Sequence, residues 1–304
     1  MKSLGKNFSL CIWSLLLVAF LFAGMGLCAC TATGDPVEIE PIEHDSGNSS
    51  GVASSSSDGK SSAEESSSSA PVADSSVIEM LDWVFVGFDF LATEVTQALY
   101  SHVMGSMPDQ PRTGDDYPVV NVSWFDAALF CNKLSKSLGY DTAYVYSSMG
   151  SEHFLKDIEI NYGVDAVRMP TEGEWEFAAH GGTTTTYYWG VEAASKYAYY
   201  GQTSGPEKVG KYAPNDYGLY DMAGNVAEWV NDWYGTYPTT IPTNYTGPSQ
   251  GSARVVRGGG WSDPIKDCAP DVREKKDPLY TSSKLGFRIV FSHGLLYIFL
   301  DYSP

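Results

Sequence analysis

Between Asn215 and Gly235 the chain reads NDYGLYDMAGNVAEWVNDWYG, with five aromatics, three glycines, three asparagines and four acidic residues. Neither a helical nor a strand period runs through it. Gly218, Gly224 and Gly235 permit backbone angles closed to other residues. Asn and Asp bond their own backbone and favour turns, while Tyr and Trp add large buried area with a polar tip. The stretch therefore reads as an ordered, non-repetitive core loop, held from inside rather than by a strand ladder. Asp221 and Glu228 flank Gly224 at a spacing that suits one hard cation, with backbone carbonyls as further ligands. The alternative is that both are solvated or cap a turn.

Not all of the 304 residues are available to fold around that loop. Met1 to Cys30 has the pattern of a targeting segment: Lys2 and Lys6, an apolar run from Ile12 to Phe22, then Leu27-Cys28-Ala29-Cys30. This is a lipobox, and Cys30, with Leu three residues before it, fits better than Cys28. The apolar run is short for a membrane span. The expectation is a bacterial lipoprotein lipidated at Cys30 and stably anchored through several acyl chains. Thr31, not Asp, follows the cysteine, which favours the outer membrane. Residues 31–76 form a linker. From Asp45 to Ser76 it is almost all Ser, Gly and Ala with a few charges, too polar to offset its ordering entropy. It reads as a flexible tether.

Folded sequence is expected over 77–292, with 293–304 as a tail. Asp82 to Leu91 reads as one strand. Thr93 is placed to cap a helix over Glu94 to Met104, with Glu94 at its positive end and Gly105 as its stop. Ser123 and Asp126 open a second helix whose apolar positions, Cys131 among them, share one face. Asp141 to Gly163 reads as a hairpin or loop. Thr171 and Glu174 form a capping box for a helix to about Ala179, so Glu172 and Glu174 read as structural acids rather than a catalytic pair. Arg254 to Trp261 is a strand entering a glycine-dense turn. That turn lacks the Lys-Ser/Thr of a phosphate cradle. Gly286 to Phe291 is a last strand. Short strands, few helices and long ordered loops indicate a single α+β domain. The formal charge of -18 argues against nucleic-acid binding. The five histidines are scattered, without a zinc spacing. In an exported chain the two cysteines left after processing, Cys131 and Cys268, are expected to pair rather than stay free.

Seven blocks then appear in order: PVVNVSW (118–124), ALFCNKLS (128–135), RMPTEGEWEFAAHGG (168–182), YYWG (187–190), PNDYGLYDMAGNVAEW (214–229), RVVRGGGW (254–261) and LGFRIV (285–290). Together they resemble the formylglycine-generating enzyme family, the sulfatase-modifying factor domain. The resemblance implies that family's loop-rich variant of the C-type-lectin-like fold. It also implies a copper enzyme that uses two cysteines and oxygen to convert a sulfatase cysteine to formylglycine. Two soft thiolates are what Cu(I) needs. The first of those cysteines falls at Asp263 here, the second, by count, at Cys268. The family's serine in the turn is Gly260, and a tryptophan of the enzymes is Ala227.

The resemblance places one calcium on Asp221, Gly224, Val226 and Glu228, the Gly and Val through their carbonyls. It gives Cys268 two readings: a disulfide to Cys131, or the remnant of a one-thiolate copper site. The expectation is a lipid-anchored envelope protein with a calcium-stabilised, non-catalytic binding or structural module, its partner a protein or glycan ligand. The alternative is a copper-dependent oxidase acting on an exported sulfatase.

Overall fold

The computed structural model describes residues 74–294 except 241 and 243. Cys30, the targeting segment, most of the linker and the tail beyond 294 lie outside the described residues. In chain order the elements are α1 (Ser75–Ile78), β1 (Trp83–Phe85), β2 (Asp89–Leu91), α2 (Gln97–Met104), α3 (Trp124–Ser137), β3 (Tyr144–Val145), β4 (Ser148–Met149), β5 (Leu155–Lys156) and β6 (Glu159–Ile160). There follow β7 (Ala166–Arg168), α4 (Glu172–His180), β8 (Ala227–Trp233), β9 (Arg254–Arg257), β10 (Glu274–Lys276), β11 (Leu285–Phe287) and β12 (Val290–Ser292).

Two capping boxes start the longer helices. Ser123 accepts from the Asp126 amide while the Asp126 carboxylate accepts from the Ser123 amide; Thr171 and Glu174 do the same for α4. Each box satisfies donors that a helix start leaves orphaned. Gly105 and Gly181 end α2 and α4 in the left-handed region, as their positions predict. Helix α2 differs from its sequence reading. Thr96, not Thr93, is its cap, accepting from the Leu99 amide, so the helix begins at Gln97. Glu94 thereby leaves the helix and is fully buried.

The sheets order as β1-β2-β12-β7 and β10-β9-β8-β11, with two short ladders, β3-β6 and β4-β5, in the 141–163 region. Three expectations are corrected here. Asp82–Leu91 is a hairpin, because Gly87 turns the chain at φ 98° and Trp83 faces Leu91. The run 286–291 is two strands: β11 lies parallel to β8 in one sheet, and β12 lies between β2 and β7 in the other. Arg288 and Ile289 carry the chain between the sheets. Lastly, the second half of the aromatic stretch is the strand β8, held by ladders to β9 and β11; only its first half is loop.

Strand β8 also divides the core. Ala227 and Trp229 face one apolar cluster, with Trp124, Phe130 and Phe287; Val230 faces the other, with Trp175, Leu219 and Met222. Alternation along a strand buried on both sides produces that division. The indoles are bonded as well as buried. Trp124 Nε1 donates to Val230 O at 2.9 Å, and Trp229 Nε1 to Val122 O at 3.0 Å.

The loop meets its neighbours most closely at Gly224, where φ is 81° and an added Cβ would lie 2.4 Å from Tyr199 O. Relief is blocked by the bonds from Gly224 N to Gly258 O at 2.9 Å and Asn225 N to Tyr199 O at 2.8 Å. Gly224→Ala is expected to destabilise the domain by about 3 kcal/mol in urea unfolding. Gly201→Ala has an open surrounding and only a positive φ to strain it, and is expected to cost roughly 1–2 kcal/mol.

Candidate functional site

The loop 215–226 is built from its own polar groups. Asn215 Oδ1 accepts from the Tyr217 and Leu219 amides, both at 3.1 Å, and its Nδ2 donates to Ala178 O at 2.7 Å. Asp221 and Asn225 both sit at φ 56°, a conformation their short polar side chains tolerate. This folding carries Asp221 and Glu228 inward, so the solvated reading does not hold: they are 3% and 1% exposed.

They enter a chamber with two residues that the sequence reading did not assign to the site, Glu94 and Arg288, both fully buried. Arg288 Nε lies 3.0 and 2.8 Å from the two Glu228 oxygens, and Nη2 lies 2.8 Å from Oε1. Trp175 Nε1 donates to Glu228 Oε2 at 2.7 Å. Asp221 Oδ2 accepts from Gly210 N at 2.7 Å. Glu94 Oε1 accepts from Asn225 Nδ2 at 3.1 Å, while its Oε2 has no hydrogen-bond partner. Burial, then the charges of Asp221 and Glu228, hold the Glu94 carboxyl well above its ordinary range. Burial likewise lifts Asp221 to about 6. Burial alone would lower the Arg288 pKa, but Glu228 outweighs it and the net direction is up.

This arrangement does not fit the calcium set of Asp221, Gly224, Val226 and Glu228. Both Glu228 oxygens are taken by Arg288. Among the described residues no group of three or more His, Cys, Asp or Glu side chains is arranged to hold a metal ion. Glu94 carried a signal of a kind, a carboxylate beside an alternative cap at Thr96. Arg288 carried none beyond its place in LGFRIV.

The acids of the 168–176 segment are structural, as expected. Arg168 forms a two-pronged pair with Glu174, 2.6 Å on each prong. Arg273 grips Glu172 at 2.5 and 2.7 Å, and Arg257 lies 3.4 Å from the same carboxylate. Asp232 accepts from the Glu172 amide at 2.7 Å, and burial lifts its carboxyl to about 7.

The glycine turn does not fit copper. At the first cysteine position, Asp263 Oδ2 accepts from Gly260 N at 2.9 Å and its Oδ1 is paired with Lys284 Nζ. An ammonium therefore holds the carboxylate that stands in place of a soft ligand. Cys268 is fully buried, and burial, then Asp263 and Asp267, push its thiol up to about 12. Lys284 also touches the other two departures. Its carbonyl accepts from Ala227 N at 2.8 Å, and a Cβ on Gly260 would lie 2.8 Å from Lys284 Cβ. Nothing in the sequence marked Lys284.

The disulfide expectation is corrected as well: Cys131 and Cys268 are both free and buried. Cys131, on the inward face of α3, belongs to one apolar cluster and Cys268 to the other.

One antiparallel and one mixed four-stranded sheet, short helices and long ordered loops define a domain of the C-type-lectin-like class in its formylglycine-generating variant. The chain belongs to the FGE-sulfatase family, the sulfatase-modifying factor enzyme 1-like domain, whose profile matches residues 54–293. It is similar to the solved Treponema denticola variable protein 1, at 37% identity and TM-score 0.61, covering 67% of this chain and 84% of that one. Chaperone protein LppX of Paenibacillus barcinonensis is 28% identical, over 66% of this chain and 78% of its own. The formylglycine-generating enzyme of Streptomyces coelicolor is 32% identical, over 57% of this chain and 52% of its own. The match to the serine/threonine-protein kinase pkn1 of Chlamydia pneumoniae, at 34% identity, spans only 23% of that protein.

Two measurements follow from this geometry. Mass mapping of the unfolded, unreduced protein after alkylation is expected to find both Cys131 and Cys268 labelled; a linked peptide pair would contradict it. Asp232 sets a pH dependence. Its folded value is raised, so its contribution to stability is intact below the unfolded value near 3.8 and is lost as pH rises through about 7. The urea midpoint should fall over that window, by about 4 kcal/mol of stability at most. Asp232→Asn should flatten the fall.

Proposed function

We propose that this chain is a lipid-anchored protein of a bacterial cell envelope whose family domain serves as a non-catalytic binding or structural module. The observation that carries the reading is the Asp263–Lys284 pair at the position where the enzymes of the family hold copper. An oxidase of this family needs two thiolates converging on one soft metal. Here one position is a neutralised carboxylate, and the other is a buried thiol donating to Pro264 O at 3.8 Å.

The anchor rests on the lipobox ending at Cys30, and the serine-rich linker would hold the domain away from the bilayer. No helix among the described residues is long and apolar enough to cross a membrane. Thr31 favours the outer membrane. The partner is a protein or glycan ligand met by the loops, since irregular loops on a fixed scaffold are where such domains place recognition.

The competing reading, an oxidase acting on an exported sulfatase, has a direct test. The copper-loaded protein is incubated in air with a peptide carrying Cys-x-Pro-x-Arg, and the product is read by mass spectrometry. No aldehyde is expected. Turnover that disappears in Cys268→Ser would overturn the proposal.

A further inference from the structure

We infer that the guanidinium of Arg288 does in this chain what a divalent cation is implied to do in the family, so that the domain holds its central loop without calcium. The inference goes beyond the proposed function and stands on the chamber alone.

A structural calcium collects six to eight oxygens from carboxylates and carbonyls, and by doing so ties together the segments that supply them. Arg288 collects the same kinds of oxygen. Its Nε and Nη2 reach both oxygens of Glu228, on β8. Nη2 also donates to Tyr220 O at 2.9 Å, beside Asp221 in the loop. Nη1 lies 3.3 Å from Leu91 O and 3.5 Å from Ala92 O, at the end of β2. One planar donor set from the β11–β12 junction thus binds a strand of each sheet and the loop between them.

Two further oxygens have local donors, while Glu94 Oε2 has none. Asp221 Oδ2 is held by Gly210 N, and Glu94 Oε1 by Asn225 Nδ2. A dication entering beside Arg288 would meet a fixed positive charge in a site of low dielectric, where repulsion is strong. It would also have to strip Glu228 from its partner, leaving a buried arginine uncompensated.

The test uses the full chain purified in detergent. Metal content is read by mass spectrometry, and the melting temperature is recorded in EDTA and in millimolar calcium. No stoichiometric calcium is expected, and the melting temperature should agree between the two conditions within about 1 °C. One calcium per chain that survives gel filtration, or a melting temperature several degrees lower in EDTA, would overturn the inference. Arg288→Lys keeps the charge and loses the planar fork. It should melt about 5 °C or more below the parent, with no recovery in calcium. An unchanged melting temperature, or recovery in calcium, would count against the assignment. If Arg288→Lys does not fold, the metal content and chelator scan of the parent protein decide the matter.

Discussion

The pair between Glu228 and Arg288 is the interaction on which the domain's two sheets depend. Both side chains are buried: Glu228 within β8, and Arg288 in the junction between β11 and β12. A charge taken out of water is tolerated only where its partner and its remaining hydrogen bonds are supplied. Here they are supplied completely, by Trp175 on one side and by the carbonyls of Leu91, Ala92 and Tyr220 on the other. Removing either member would strand the other, an effect of about 3–5 kcal/mol in comparable buried pairs. The same bonds fix where the chain crosses between sheets. Leu91 N to Ile289 O and Val95 N to Phe287 O, both 3.0 Å, keep the crossing in register.

The parts of this architecture that were legible in the sequence are those set by neighbours in sequence. Ser123 with Asp126 and Thr171 with Glu174 are local signals, and both helices start where these pairs place them. The inward face of α3 was legible because helical spacing is local too. The misreadings share a different cause. Thr93 and Thr96 are both competent caps, and the choice between them is made by a distant strand: Val95 N bonds Phe287 O, which holds residue 95 outside the helix. Gly87 and Arg288 each break what looks like one strand, because pairing partners far along the chain claim the two halves separately. β8 was hidden for a similar reason. A strand buried on both faces shows no polar alternation, and this one carries the acidic and amide side chains of a loop.

For the candidate site the gap is wider, and it is electrostatic. Asp221 and Glu228 stood out as acids flanking a glycine at a spacing that suits one hard cation, and the resemblance named calcium for them. Glu94 lies 127 residues before Asp221 and Arg288 lies 60 after Glu228, so no spacing rule connects them to the loop. Once they are in place the chamber holds three carboxylates and one guanidinium. The carboxylates then divide by partner: Glu228 is paired with Arg288, while burial raises Glu94 and Asp221 toward their neutral forms. A cation of the chain's own therefore offsets part of the charge that would otherwise call for a metal.

The three departures from the enzyme pattern, Ala227, Gly260 and Asp263, look independent in sequence and are one local packing in space. All of them touch Lys284. The backbone of Lys284 closes onto Ala227 N at the start of the parallel β8–β11 pairing. That brings its Cβ against the position where a side chain on residue 260 would sit, which a serine would fill and Gly260 leaves open. From there the side chain runs to Asp263, which the turn already holds through Gly260 N and through Gly201 N to Asp263 O at 2.9 Å. A cysteine at 263 would lose the ion pair and leave the ammonium of Lys284, one-third exposed, beside a thiol. Returning one residue to the enzyme pattern therefore conflicts with the others. The turn has settled into a packing in which a lysine, rather than a metal, closes the site.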